Sequence, residues 1–258
     1  MLRFNTINIF VTVTLVVLIV TNIFIIIPTS YYIILFVFWF CITLLGSTLI
    51  QWNYHLMSLN SNRETKDDVV AITFDDGPNP DFTPQVLALL KKFNVKATFF
   101  CIGRNVEAHS ILCQQIISEG HTIGNHTYSH SNNFGFYSTS RVVLELEKTN
   151  GIIKERTGLE LKLYRPAFGV TNPKIKRALK ITGLQSIGWN KRSLDTTSLS
   201  EQKILQRLTQ NLKKGDILLL HDSSSKTLRV LEQLLLFLKN NKLESVTVDR
   251  LLEIKPYA

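Results

Sequence analysis

The sequence has few cysteines, and its first fifth has almost no charge. Three cysteines, Cys41, Cys101 and Cys113, include no CxxC pair, so we expect all three to be buried free thiols. The chain contains no basic-aromatic motif of the kind that binds nucleic acid, so nucleic acid is not an expected partner. Residues 1–52 carry one formal charge, at Arg3. This segment is therefore predicted to contact lipid.

Two long apolar runs fill the N-terminal segment, at residues 7–27 and 31–50. Each is close to the roughly 20 residues that a helix needs to cross the hydrocarbon core of a bilayer. A signal peptide is the alternative for the first run, but the run is too long and no Ala-x-Ala-type site follows it. We predict a multi-pass membrane protein in which residues 1–52 form a two-helix anchor. The connecting turn has no Lys or Arg, so the side of the membrane that holds the rest of the chain stays open.

Residues 53–67 are polar and predict a linker, and residues 68–258 are expected to form one domain. The formal net charge is +9, of which residues 1–66 contribute +2 and the rest +7. A basic surface of this kind favours anionic lipid headgroups or an anionic polymer.

Beyond residue 68, short apolar runs alternate with helical patterns. The predicted strands are 69–74, 97–102, 185–189 and 216–221, and the clearest helices are 83–93, 138–157 and 201–213. This alternation predicts an α/β fold. Six or seven such repeats in under two hundred residues favour a closed or nearly closed barrel.

Polar side chains follow the apolar runs, where the strands of a (β/α) barrel end on one shared face. They are Asp75, Asp76, His126, His130, Arg165 and His221. The two histidines at 126 and 130 have the spacing that places imidazoles on one face of a helix or helical turn. Two His and one Asp would hold a divalent metal in an open site suited to hydrolysis. An ordinary turn is the alternative for the two aspartates, and a core histidine is the alternative for His221.

Four motifs together resemble the polysaccharide deacetylases, carbohydrate esterase family 4, whose domain is called the NodB-homology domain. They are Thr73-Phe74-Asp75-Asp76-Gly77-Pro78-Asn79, His126-Thr127-Tyr128-Ser129-His130, Arg165-Pro166-Ala167-Phe168-Gly169 and Leu219-Leu220-His221-Asp222. The similarity runs in order from about Val69 to Asp249. It implies a distorted (β/α) barrel of the NodB-homology type as the catalytic domain over residues 68–258.

The resemblance also implies a bound divalent metal. Its ligands would be Asp76, His126 and His130, in agreement with the grouping at the strand ends. Zinc is the expected ion, with Co²⁺, Ni²⁺ and Mn²⁺ as alternatives.

The implied catalytic residues come from opposite ends of the chain. Asp75 is expected to act as the base, with Arg165 paired to it. His221 is expected to be the general acid, with Asp195 sustaining its charged form.

Three more residues are implied for the oxyanion and acyl pocket. The backbone N–H of Phe168 would stabilise the oxyanion, and Leu219 would line the acyl pocket, with an ordinary core Leu as its alternative. In many relatives a Trp directly follows the aspartate that corresponds to Asp195. Here Thr196 stands at that position. Trp189 is the candidate to supply that bulk.

The implied activity is metal-dependent hydrolysis of the N-acetyl group of an amino sugar in a glycan, with release of acetate. The glycan would be peptidoglycan, a chitin-like oligosaccharide or another surface polysaccharide. A deacylase or deformylase of a lipid-linked sugar and a catalytically silent glycan-binding relative are the alternatives. The expected partners are the glycan or glycolipid substrate and membrane lipid, with no obligate protein partner.

Overall fold

The computed structural model describes residues 3–258 and begins with two antiparallel apolar helices, α1 (Phe4–Phe24) and α2 (Thr29–Thr48). Both are long and apolar enough to cross a bilayer. Helix α1 ends before the apolar run does, because the side-chain oxygen of Asn22 accepts a hydrogen bond from the backbone N–H of Ile27 at 2.7 Å. Helix α1 ends three residues and α2 two residues before the predicted ends of the apolar runs.

Polar contacts join the two helices along their length. The indole Nε1 of Trp39 donates to Asn8 Oδ1 at 2.9 Å, and the hydroxyl of Tyr32 donates to the carbonyl of Leu18 at 3.2 Å. Hydrogen bonds of this kind hold apolar helices together where no hydrophobic driving force acts between them. Cys41 is exposed on α2, so its predicted burial is wrong, whereas Cys101 and Cys113 are buried.

A curled parallel sheet forms the centre of the remaining chain. Its strands are β1 (Val69–Asp75), β2 (Ala97–Cys101), β3 (Thr122–Asn125), β4 (Leu163–Tyr164), β5 (Gln185–Ser186), β6 (Lys191–Arg192), β7 (Ile217–His221) and β8 (Glu244–Ser245). The order is β5-β4-β3-β2-β1-β7-β6, with β8 also paired to β1, and all these pairs are parallel. The two edge strands β5 and β6 are separated only by residues 187–190, so the sheet curls until its edges approach each other. The predicted barrel-like α/β fold is confirmed.

Helices cover the outside of this sheet. They are α3 (Thr83–Lys92), α4 (Gly103–Ala108), α5 (Ser110–Ser118), α6 (Thr139–Thr157), α7 (Pro173–Thr182), α8 (Glu201–Thr209), α9 (Ser225–Asn240) and α10 (Val248–Leu252). The side chains of Ser138, Asn172, Ser200 and Ser224 accept hydrogen bonds from the first-turn N–H groups of α6, α7, α8 and α9. Such caps satisfy donors that have no partner within the helix, which fixes where these helices begin.

Strand alternation decides which side chains point into the curled sheet. On β1, Val69 and Ala71 pack in the interior, while Val70 and Ile72 pack outward against helices. Because successive side chains alternate, Asp75 is the last inward residue of β1. His221 ends β7 in the same way and pairs with Asp75 in the register of the two strands.

The segment 53–67, predicted as a linker, packs against the domain. Tyr54 and Leu56 are buried, and Leu59 forms a parallel bridge with Ile187 beyond the edge strand β5. The hairpin docks here too, since the N–H of Phe4 donates to the carbonyl of Tyr54 at 3.0 Å. This segment is therefore an ordered part of the fold rather than a free spacer.

Candidate active site and metal centre

Two adjacent aspartates end β1 but lie in different surroundings. Asp75 is 4% exposed, while the side chain of Asp76 is 34% exposed. Asp76 has a positive φ of 76°, and its carbonyl accepts a hydrogen bond from Asn105 Nδ2 at 2.7 Å. A positive φ is uncommon for a residue other than glycine, and such backbone conformations concentrate at functional sites.

The two candidate ligand histidines lie in a loop after β3 rather than on a helix. Thr127 and His130 have positive φ values of 66° and 46°, and the N–H of Thr127 is held by Asn125 Oδ1 at 2.8 Å. The helical turn expected from the spacing of His126 and His130 is therefore wrong. Left-handed residues bend this loop so that both rings reach the same point.

Glu145 on α6 holds the middle of that loop. Its carboxylate accepts hydrogen bonds from the backbone N–H of Tyr128 at 3.1 Å and of Ser129 at 2.7 Å. Glu145 has no signal in the sequence that marks this role, because nothing in its helical surroundings distinguishes it from a solvent-exposed glutamate.

Asp76, His126 and His130 come together, with their ligand atoms all within 4.8 Å of one another. Asp76 Oδ1 lies 3.4 Å from His126 Nε2 and 3.3 Å from His130 Nε2. Two ligands that bind one tetrahedral zinc ion at about 2.0–2.1 Å lie about 3.3–3.4 Å apart. The spacing and the nitrogen and oxygen donors therefore fit a divalent cation.

Hydrogen bonding and burial favour binding of a cation by these groups. His126 Nδ1–H donates to the carbonyl of Arg165 at 2.9 Å, which leaves its Nε2 lone pair directed at Asp76. Asp76 Oδ1 is buried and has no hydrogen-bond partner within residues 3–258. An acceptor buried in this way is costly unless something positive approaches it.

The charges of the cluster also favour a positive group between Asp76, His126 and His130. Burial opposes a charge on His126, but Asp75 and Asp76 outweigh it and raise the pKa of this ring. Burial and the neighbouring His126 lower the pKa of His130 to about 4. Burial opposes ionisation of Asp76, yet the surrounding histidines hold the pKa of this carboxyl well below its usual range. The cluster thus attracts positive charge, either a proton on His126 or a cation between the three groups.

Arg165 anchors Asp75 from inside the sheet. Its guanidinium is fully buried and donates to Asp75 Oδ1 at 2.8 Å, to Thr73 Oγ1 at 2.6 Å and to the carbonyl of Gly188 at 2.8 Å. It also lies 4.1 Å from the centroid of the Phe100 ring. With so many donors engaged, the guanidinium fixes the orientation of the Asp75 carboxylate.

Asp195 supports His221 across the site. It accepts from His221 Nδ1 and from the His221 backbone N–H, both at 2.8 Å, and from Thr227 Oγ1 at 2.9 Å and Ser193 Oγ at 2.8 Å. Burial opposes a charge on the ring, but the hydrogen bond and charge of Asp195 raise the pKa of His221 to about 9. His221 Nε2 lies 4.0 Å from Asp76 Oδ2. Thr227 on α9 and Ser193 just after β6 have no signal in the sequence that marks them as partners of Asp195.

The three pocket candidates occupy different depths. Phe168 has a positive φ of 57°, is 46% exposed, and its ring centroid lies 4.4 Å from that of His130. Trp189 is 4% exposed and lies beneath this turn against Gly169. Leu219 is 2% exposed and packs within the sheet. Thr196 is exposed. Trp189 therefore fills space below the Phe168 turn. It does not form a solvent-facing wall beside Thr196.

A cation site open to solvent, with an anchored carboxylate on one side and a protonated imidazole on the other, is the arrangement of a metal-assisted hydrolase. The sequence profile of the family described as polysaccharide deacetylase matches residues 62–187. This match and a relative that is 37% identical and covered over 89% of its length show that the chain belongs to the polysaccharide deacetylase family.

Named relatives agree with this assignment. A peptidoglycan-N-acetylglucosamine deacetylase from Bacillus cereus is 37% identical over 197 residues, which cover 72% of this chain and 89% of that protein. One from Listeria monocytogenes is 33% identical over 182 residues, 70% of this chain but 38% of that longer protein. The structure of peptidoglycan deacetylase PdaC from Bacillus subtilis superposes with a TM-score of 0.68 at 28% identity, covering 72% of this chain and 92% of that one.

Proposed function

We propose that this chain is a zinc-dependent deacetylase, anchored in a membrane, that removes the N-acetyl group from amino sugars of peptidoglycan. One observation carries the proposal. Asp75 and His221 are paired residues on neighbouring strands, and they flank the Asp76–His126–His130 triad. A base and an acid on either side of an open cation site suit the hydrolysis of an amide. The substrate follows from the named relatives.

The triad would hold the cation through one carboxylate oxygen and two ring nitrogens. The chemistry that a divalent cation supplies when bound there is Lewis acidity, which lowers the pKa of water and polarises a carbonyl oxygen. The backbone N–H of Phe168 is assigned to donate to the oxygen of the acetyl group as negative charge develops on it. Trp189, which lies against Gly169, makes the space below this turn apolar, and Leu219 is assigned to line the acyl pocket.

Asp75 is assigned as the general base. Its Oδ1 is occupied by Arg165, so Oδ2 is the oxygen that accepts the proton from the attacking water. The oxygen of that water bonds to the acetyl carbon and forms a tetrahedral adduct. Because Arg165 is buried and held by several acceptors, the carboxylate does not turn away between turnovers.

His221 is assigned as the general acid. With its pKa raised to about 9, the ring carries a proton on Nε2 at neutral pH. It transfers this proton to the sugar nitrogen as the C–N bond breaks, which releases the free amine and acetic acid. The acid ionises to acetate at neutral pH, Asp75 loses its proton to solvent, and His221 takes up a new one. Asp195 stabilises the charged ring before the transfer and orients Nε2 toward the site through the Nδ1 hydrogen bond.

A lipid-linked amino sugar is a second candidate substrate, and one contact favours it. The N–H of Thr171 donates to the carbonyl of Ser47, at the end of α2, at 2.9 Å. Thr171 lies three residues after Phe168, so the turn assigned to the acetyl oxygen is tied to the end of the apolar hairpin. If that hairpin spans a bilayer, the site is held near its surface, where a lipid-linked sugar presents its head.

The test uses the full chain in detergent, because residues before 67 pack into the fold. Acetate release is measured from peptidoglycan, from N-acetylglucosamine oligomers and from a lipid-linked N-acetylated sugar, with added zinc and with a chelator. Asp75→Asn should lose about 10²- to 10⁴-fold in turnover, the usual contribution of general acid–base catalysis. Asp81→Asn, an exposed aspartate in the following loop, is the matched control. Equal turnover in Asp75→Asn and wild type would refute the base, and chelator-insensitive release would refute the metal.

A further inference from the structure

A cavity lies where the helical hairpin meets the catalytic domain. It has a volume of about 670 Å³, within the roughly 300–1,000 Å³ range of small-molecule sites. Its walls come from the start of α1, from residues 53–57 after α2, and from the start of α7. The mechanism above uses none of these residues.

The cavity is strongly positive. Three cations line it, Arg3, Lys176 and Arg177, and no acidic side chain is among its lining residues in the described chain, 3–258. None of the three forms an ion pair there, whereas Lys92, Lys154 and Arg229 elsewhere on the surface pair with glutamates. Unpaired cations that converge on a cavity favour an anionic ligand.

His55 adds a neutral ring to the wall of the cavity. The residue is 5% exposed, and its Nδ1 has no hydrogen-bond partner among residues 3–258. Ser47 Oγ donates its only proton to the carbonyl of Thr43 at 2.8 Å, so in its 2.9 Å contact with His55 it must accept from Nε2–H. A neutral ring with a proton on Nε2 leaves a lone pair on Nδ1, but this atom is buried, so a ligand in the cavity does not reach it. Burial and the nearby Lys176 lower the pKa of His55 to about 4, which keeps the ring neutral.

The position of the cavity indicates where its ligand comes from. Helix α1 begins at Phe4 and α2 ends at Thr48, so both ends of the hairpin lie at the domain. If the hairpin spans a bilayer, these ends lie at the level of the lipid headgroups, where each nearby Lys or Arg contributes about 1 kcal/mol of attraction to anionic lipid.

We propose that this cavity binds the phosphate of an anionic phospholipid headgroup, such as that of phosphatidylglycerol. The phosphate lies among Arg3, Lys176 and Arg177, and the neutral ring of His55 forms part of the wall. Such a lipid fixes the orientation of the domain on the membrane. The inference rests on the membrane anchoring proposed above and is independent of the deacetylase chemistry.

Binding is measured on the full chain in phosphatidylcholine micelles by native mass spectrometry, with dioleoylphosphatidylglycerol, dioleoylphosphatidylmethanol or inorganic phosphate added. We expect one phosphatidylglycerol per chain. Phosphatidylmethanol has the same charge in a smaller headgroup and should bind about as tightly, because the phosphate makes the contacts with the cations. Much weaker binding of phosphatidylmethanol would overturn the assignment to the phosphate. Equally tight binding of inorganic phosphate would overturn the lipid assignment.

Charge variants distinguish a specific binding site from general electrostatic attraction between the basic surface and anionic lipid. Lys176→Gln with Arg177→Gln should weaken phosphatidylglycerol binding roughly 30-fold. Lys174→Gln with Lys203→Gln removes the same charge from exposed residues outside the cavity and should change binding less than two-fold. An equal loss in both pairs would overturn the site.

Two further measurements distinguish a failure of the lipid-site proposal from a failure of the deacetylase proposal. Flotation with pure phosphatidylcholine vesicles tests the anchor alone, and acetate release from soluble oligomers tests the enzyme alone. Phosphatidylglycerol selectivity without acetate release would contradict only the deacetylase proposal. Failure to float would remove the basis of the lipid site.

Discussion

Replacing Asp195 by asparagine should shift the alkaline limit of activity to lower pH. Asp195 is the main group that opposes the burial of His221 and raises the pKa of this ring from 6.5 to about 9. Since one pKa unit corresponds to about 1.36 kcal/mol, the charged ring is favoured by about 3 kcal/mol over an ordinary histidine. Asparagine keeps the size and can still accept from Nδ1, but it removes the charge. A hydrogen bond to a charged group contributes about 1.5–3 kcal/mol, so we expect a shift of roughly one to two pH units.

The direction follows from the role of the ring. A general acid is active while protonated, so activity is present below the pKa of His221 and is lost as the pH rises through it. The assay is kcat/KM for acetate release between pH 5 and 10 at saturating zinc, with the ring of His221 followed in parallel by nitrogen NMR. Asp68→Asn, which changes an exposed aspartate just before β1, controls for net charge. An alkaline limb that stays in place in Asp195→Asn, while the ring pKa falls, would refute His221 as the acid.

Three further outcomes test the metal centre. His126→Ala combined with His130→Ala should abolish zinc binding as well as turnover, because one carboxylate cannot hold the ion, and unchanged zinc content by mass spectrometry would contradict the triad. Glu145→Ala should weaken zinc binding about 10- to 100-fold through the loop between these ligands, whereas Glu147→Ala on the same helix should not. Activity should also fall as the pH drops, since a proton on His126 competes with the ion, and a higher zinc concentration should restore it. An acid loss that zinc does not relieve would point to a different group.

The fold could be predicted from the sequence because its signals are local. Apolar runs such as 69–74 and 216–221 end in polar residues, and parallel strands deliver such residues to one edge. Asp75 and His221 are an example, because they end adjacent strands and pair with each other in register. The motifs then implied a role for each residue, which the proposed experiments test.

The remaining features depend on contacts between distant parts of the chain. A spacing of four residues suits a helix, but left-handed residues and the carboxylate of Glu145 decided the shape of the His126–His130 loop. The polar composition of 53–67 suggests a spacer, yet Leu59 packs beside Ile187 at the far edge of the sheet. Local propensity cannot anticipate either case, because in both the deciding partner lies elsewhere in the sequence.

By itself the sequence determined the apolar hairpin, the alternation of strands and helices, and the identity of the groups at the strand ends. These follow from hydrophobic period and residue type, which each segment carries on its own. Only the tertiary structure decided how those groups interact. Arg165 reaches Asp75 across 90 positions of sequence and Asp195 reaches His221 across 26. Protonation and orientation depend on burial and on such partners, and folding alone brings them within hydrogen-bonding distance.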